Sequence, residues 1–318
     1  MTMKNSKTKK KANLNRRLLV LSIVFSALLI SGAIAYKVLL PGQATKFSMK
    51  AAIVDQVSEN DPNSTFCTTV TKLLHDAGFS VSYFNWENVT VPFYETLVEG
   101  DYGIIIFRVH SAMRVNSSVP ALDLFSSVEY DPNNQTELAQ YSKYSGLLDA
   151  AEYLVPLGQA QEPGKYYFAI TPDFIERFGN FPKSIIIAMG CSGLNITSMA
   201  QAFIDKGATA YVGWTNIVLP NDTDYETAKF LEMFLGKNQT LANSIGFTYP
   251  ARNYYDPKNG ITIISWMESY PVSPSIDNLT ISNLITGTKN AKAQSSNIEK
   301  SSFLIAEEIA NKRKGETE

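Results

Sequence analysis

The sequence predicts an α/β fold, a three-layer sandwich around a mainly parallel sheet, and three observations lead there. Short uninterrupted apolar runs, Ile104-Ile105-Ile106-Phe107 and Ile185-Ile186-Ile187-Ala188 among them, read as strands buried on both faces. These runs alternate with segments whose apolar residues recur at helical spacing, the pattern of βαβ units. Glycines close the predicted helices, at Gly78, Gly207 and Gly236.

The chain starts with a targeting pattern. Residues 1–17 carry seven Lys or Arg and no acid, and Leu18 to Tyr36 follows without a charge. Extended by Val38, Leu39 and Leu40, this run is long enough to cross a hydrocarbon core of about 30 Å at about 1.5 Å per residue. A signal anchor over 18–40 is the favoured reading, with a basic cytoplasmic tail over 1–17 and everything after residue 40 outside the cell. The competing reading is a cleaved signal peptide and a secreted product, because Ala33-Ile34-Ala35 has the small-x-small form of a cleavage site. Eight Asn-x-Ser/Thr sequons downstream fit a glycosylated outer surface.

The α/β domain is expected over 48–282. Residues 51–56 form a first strand; Asp61-Pro62 supplies an N-cap and a first-turn proline for a helix ending at Gly78. Its apolar positions Phe66, Val70, Leu73, Leu74 and Ala77 make one stripe, which Cys67 borders, and His75 lies in its last turn. Strands follow at 81–86 and 102–109, with a short helix or irregular cover at 91–98 between them. Residues 111–183 break the pattern and read as an insertion over the strand ends, containing one strand at 166–171 and a helix near 172–178. Regularity resumes with strand 184–188, helix 198–206 and strand 209–214. Thr223 and Glu226 then fit a capping box before a helix at 224–235. A helix at 241–248 and a strand at 261–267 complete the domain. Residues 283–318 turn polar, a linker with a possible amphipathic helix at 301–314.

His110 and Cys191 each stand just beyond an apolar strand run, where ligands bind in parallel sheets. The chain has two histidines and two cysteines, so few pairings exist. Cys67 and His75 have duller readings, as a core-lining thiol and a helix-end base. A free thiol is only a few per cent ionised at neutral pH, and an adjacent imidazole that takes its proton turns it into a nucleophile. Gly190-Cys191-Ser192-Gly193 offers unobstructed backbone amides for an oxyanion. The alternative for Cys191 is a disulfide with Cys67, which the outside location permits and which would remove the nucleophile.

The order strand, His110, then strand, Cys191-Ser192-Gly193, then helix Met199 to Ala208 and strand Ala210-Tyr211-Val212-Gly213-Trp214 resembles the caspase-like cysteine peptidases, including clostripain, gingipain and the CHAT domain. The resemblance covers roughly residues 48–270. It implies a caspase-like sheet, His110 as general base and acid, Cys191 as nucleophile, and an oxyanion hole from the amides of Cys191 and Ser111. It implies a peptide or protein substrate and a cysteine-type endopeptidase. Ser111 stands where the family usually has glycine, and Met189-Gly190-Cys191-Ser192-Gly193 differs from the caspase signature. A catalytically inactive caspase-like ectodomain that binds a ligand or envelope partner is the rival reading.

Several classes are disfavoured. Without its N-terminal basic cluster the chain is mildly acidic, which speaks against a nucleic-acid partner. The histidines and cysteines are too scattered for a zinc site, phosphate-cradling glycine motifs are missing, and no cofactor or metal is expected. A tyrosine-phosphatase loop needs arginine where Thr197 stands. For substrate binding, Asp55, Glu129 and one of Asp222 or Asp224 are candidates to attract a basic side chain, with Trp214 lining the cleft; solvated carboxylates, helix caps and an aromatic at the sheet edge are the bland alternatives.

Overall fold

β-Branched runs that bury both faces build the central sheet of the computed structural model, which describes residues 46–114, 120–153, 165–256 and 260–287. The predicted tail, anchor and C-terminal helix lie outside the described residues, among which no helix is long and apolar enough to cross a membrane. In chain order the elements are β1 Lys50–Asp55, α1 Ser64–Asp76, β2 Ser80–Phe84, α2 Val91–Thr96, β3 Ile104–Arg108, β4 Ser111–Arg114, β5 Ala121–Glu129, α3 Gln135–Gln140, β6 Leu148–Tyr153, β7 Lys165–Ile170 and α4 Pro172–Phe178. They continue with β8 Ile185–Ala188, α5 Ser198–Asp205, β9 Ala210–Trp214, α6 Pro220–Leu231, α7 Leu241–Gly246, β10 Ala251–Asp256, β11 Ile261–Ser265, β12 Met267–Tyr270, α8 Pro274–Asp277 and α9 Ile281–Thr286.

Six strands form the main sheet in the order β12-β9-β8-β3-β1-β2, parallel except for β12. The two-residue alternation of a strand splits its side chains between two apolar layers. Ala51, Ile53, Ile104, Ile106, Ile185 and Ile187 pack under α1, α6 and α7, against Phe66, Val70, Leu74, Phe230 and Leu241. Their neighbours Ala52, Val54, Ile105, Phe107, Ile186 and Ala188 pack under α2, α4 and α5, against Tyr94, Phe174, Met199 and Phe203. The chain is thus a mixed α/β fold with a mainly parallel central sheet and helices on both faces.

The stretch read as an irregular insertion holds a second sheet, ordered β4-β5-β7-β6 and antiparallel throughout. Leu122, Leu124, Phe168 and Ile170 press one of its faces onto the main body. Phe125, Ala151, Tyr167 and Ala169, with Ala112 and Trp86 packed against them, form a small apolar cluster on the other. Three of its four strands escaped the sequence reading because buried polar residues, Asp123 and Ser126, interrupt the apolar pattern of β5.

Boundaries moved for identifiable reasons. Helix α1 is capped by Asn63, whose side chain accepts from the Phe66 N–H at 3.0 Å, while Asp61 closes a turn by donating its N–H to the Val57 carbonyl. Helix α6 begins at Pro220, so Thr223 and Glu226 are not a capping box. Thr223 Oγ1 donates back to the Pro220 carbonyl, and Glu226 accepts from the Tyr249 N–H at 2.8 Å. The single late strand divides at Trp266: β11 pairs with β10 in a separate hairpin, and β12 joins the main sheet beside β9.

Candidate active site

β3 and β8 are hydrogen-bonded neighbours with Phe107 opposite Ala188, so three residues further on His110 and Cys191 leave the same carboxyl edge of adjacent strands. Neighbouring strands run about 4.8 Å apart. Here the two exits touch: Ser111 Oγ donates to the Cys191 carbonyl at 2.5 Å. Gly190 is required by that approach, since a Cβ in its place would meet the Val109 carbonyl oxygen at 2.5 Å and the Ser111 hydroxyl. Ser192 completes the turn in the left-handed region at φ 57°, and its N–H donates to the Asn216 carbonyl at 2.8 Å. The Cys191–Ser192 peptide is therefore held at both ends.

The histidine backbone is equally fixed. Its N–H donates to Gln56 Oε1 at 3.0 Å, and its carbonyl accepts from the Phe125 N–H at 2.9 Å. That second bond makes Ser111 and Leu124 a non-hydrogen-bonded pair, so the β4–β5 ladder does not use the Ser111 N–H. The imidazole meets the Phe125 ring edge-on, with centroids 5.9 Å apart.

Both side chains line one cleft of about 700 Å³. Its walls are the two strand exits, the β9–α6 loop at Ile217–Leu219, and the second sheet, which contributes Ala112, Asp123 and Ala151. Burial, aided by the positive charge of Arg108, brings the His110 imidazole down to about 4. Burial pushes the Cys191 thiol up, against backbone hydrogen bonds at Val218 and at Cys191 itself. At neutral pH the resting pair is a thiol and a neutral imidazole. The Cys191 sulfur contacts the Val218 carbonyl at 3.5 Å. On the far wall Arg114 holds Asp123 through two bonds of 3.0 and 2.9 Å, yet burial lifts that carboxyl to about 6.

Three residues expected to face a substrate lie elsewhere. Asp55 is fully buried and accepts from Arg108 Nη1 at 2.8 Å and the Tyr83 hydroxyl at 2.9 Å. Trp214 is 1% exposed, in the core beneath α6. Glu129 ends β5 in an exposed pair with Lys165 at 2.8 Å, outside the cleft lining. Asp224, the further acidic candidate, takes Arg108 Nε and Nη2 at 2.7 and 2.8 Å. The disulfide alternative is excluded as well: both cysteines are free thiols, and Cys67 contacts Asp55 at 3.5 Å. Among the described residues no group of three His, Cys, Asp or Glu is arranged to hold a metal ion.

Sequence reasoning missed Arg108, Gln56, Asp123 and the Val218 carbonyl. Arg108 did leave a signal, a lone charge inside the run Ile104 to Val109. A buried charge survives only with partners, and its partners were the acids assigned to substrate. No protein-family model and no curated protein matches the chain, so its function has to be argued from this geometry.

Proposed function

We propose that the chain is a membrane-anchored extracellular cysteine peptidase of the caspase-like group. The reading is carried by the in-register exit of His110 and Cys191 from adjacent strands into one cleft. The order strand, histidine, strand, cysteine supports the caspase-like form of the three-layer sandwich. In the reaction Cys191 Sγ attacks the scissile carbonyl carbon while its proton passes to His110. The oxyanion of the tetrahedral intermediate is met by the Cys191 and Ser111 amides. His110 returns the proton to the departing amine, the C–N bond breaks, and a thioester remains on Cys191. Water, deprotonated by His110, then releases the acid and regenerates the thiol. Because the resting pair is neutral, proton transfer accompanies attack instead of preceding it, and the thiol has to turn from Val218 toward the imidazole.

Anchoring rests on residues 1–40 alone, and the sequons are its companion signal. Of these, Asn63 is already engaged at both ends of its side chain, capping α1 and donating to Asp224 at 2.8 Å, which leaves the exposed ones as glycan acceptors. Membrane fractionation with the folded domain open to external protease tests the topology.

The rival reading, an inactive binding ectodomain, is favoured by one observation: the Cys191 sulfur rests on Val218. Mass-resolved labelling separates the two. A peptidase shows Cys191 modified at neutral pH by iodoacetamide or a peptidyl chloromethyl ketone, at a rate that His110→Ala lowers, together with hydrolysis of fluorogenic peptides. An unreactive Cys191, or labelling indifferent to His110, sinks the dyad.

A further inference from the structure

Arg108 is the last residue of β3, two residues before His110, and both line the cleft. Four of the five N–H donors of its guanidinium are engaged: Nε and Nη2 grip both oxygens of Asp224, Nη1 reaches Asp55 at 2.8 Å, and Nη2 also donates to the Asp61 carbonyl at 2.8 Å. Asn63 and Tyr83 complete the shells of the two carboxylates, and the Phe66 ring lies 5.7 Å from the guanidinium carbon. All three charged side chains are at most 3% exposed. Such a cluster is a poor source of stability, since apolar residues of similar volume often do as well or better. What it does supply is a fixed connection.

The connection runs to the nucleophile. Asp224 lies in the second turn of α6, and the loop leading into that helix holds the cysteine elbow twice, through the Asn216 carbonyl on Ser192 N–H and the Val218 carbonyl on Cys191 Sγ. The geometry points to Arg108 as a positioning residue: through Asp224 it fixes the loop on which the Cys191 thiol rests relative to the strand that carries His110. This rests on the dyad reading above. When the link is cut, the loop drifts, the elbow loses the Asn216 carbonyl that holds its Ser192 N–H, and the cysteine can no longer be brought reproducibly onto the imidazole.

The test uses the full chain with Arg108→Lys, which keeps charge but loses the fork, and with the apolar triple replacement Arg108→Met, Asp55→Leu and Asp224→Leu, which is expected to fold. Peptide hydrolysis, the rate of Cys191 carbamidomethylation by mass spectrometry and the melting temperature are measured together. In both variants kcat should fall at least about tenfold with KM within about threefold, as misalignment predicts. Cys191 alkylation should fall at least about threefold, in the direction of His110→Ala, while the triple variant melts near the wild type. A folded triple variant with wild-type kcat and wild-type alkylation overturns the assignment. If the wild type hydrolyses no peptide, the dyad reading falls, and the alkylation ratio alone then decides for or against Arg108.

Discussion

The elbow after β8 and the first turn of α1 each carry a partly exposed free cysteine, and they set the two thiols apart. Cys67 faces the Asp55 carboxylate, and burial together with that negative charge pushes it to about 11. Cys191 is raised by burial too, but backbone hydrogen bonds at Val218 and at Cys191 itself oppose the rise. A thiolate is therefore disfavoured twice in α1 and once at the strand edge. Burial is the larger influence on both thiols, and what separates them is the carboxylate beside Cys67 and the backbone groups beside Cys191.

The largest effect expected from this contrast is on turnover. Cys191→Ala should lower kcat/KM by at least about 1,000-fold, roughly 4 kcal/mol, whereas Cys67→Ala should leave it within about twofold. Equal losses at the two sites would erase the distinction. Next comes a pH effect that belongs to the elbow side alone. Folded His110 titrates near 4 and unfolded histidine near 6.5, so between those values only the unfolded chain takes up the proton. Stability that is complete above about pH 6.5 should decline as pH falls and level off below about 4, by about 3 kcal/mol from this residue. Urea titrations of His110→Gln should lack that component; an unchanged slope would refute the buried neutral imidazole.

Gly190→Ala probes the contact between the exits. Its Cβ meets the Val109 carbonyl, which cannot yield without moving β3, so a loss of about 1–3 kcal/mol is expected, with activity falling beyond what the folded fraction explains. An equally stable, equally active variant would mean that the strands are not in contact there. The smallest effect is at Cys67, where replacement by Ala should cost about 1 kcal/mol or less in thermal unfolding, since only a partly buried sulfur is lost.

The central sheet was legible because its strands obey a single rule. β1, β3 and β8 bury both faces, so each contains a four-residue apolar word, and the residues just beyond it mark the carboxyl edge. His110 and Cys191 were found on that rule. The wall opposite them obeys no such rule: β5 carries Asp123 and Ser126 inward, and β6 is Leu-Asp-Ala-Ala-Glu-Tyr. Asp55 misled for a related reason. A carboxylate at a strand end looks alike in sequence whether it awaits a ligand or an arginine two strands' worth of chain away, and three-dimensional pairing alone tells them apart.

Only Val109 and His110 separate the last residue of β3 from the first of β4. His110 is thus the joint between the main sheet and the cleft wall, with no slack on either side. If that wall tilts when a guest enters, the ring must swivel with it, as a key turns its own bolt. On the dyad reading, filling the cleft and aligning the proton acceptor become a single mechanical event.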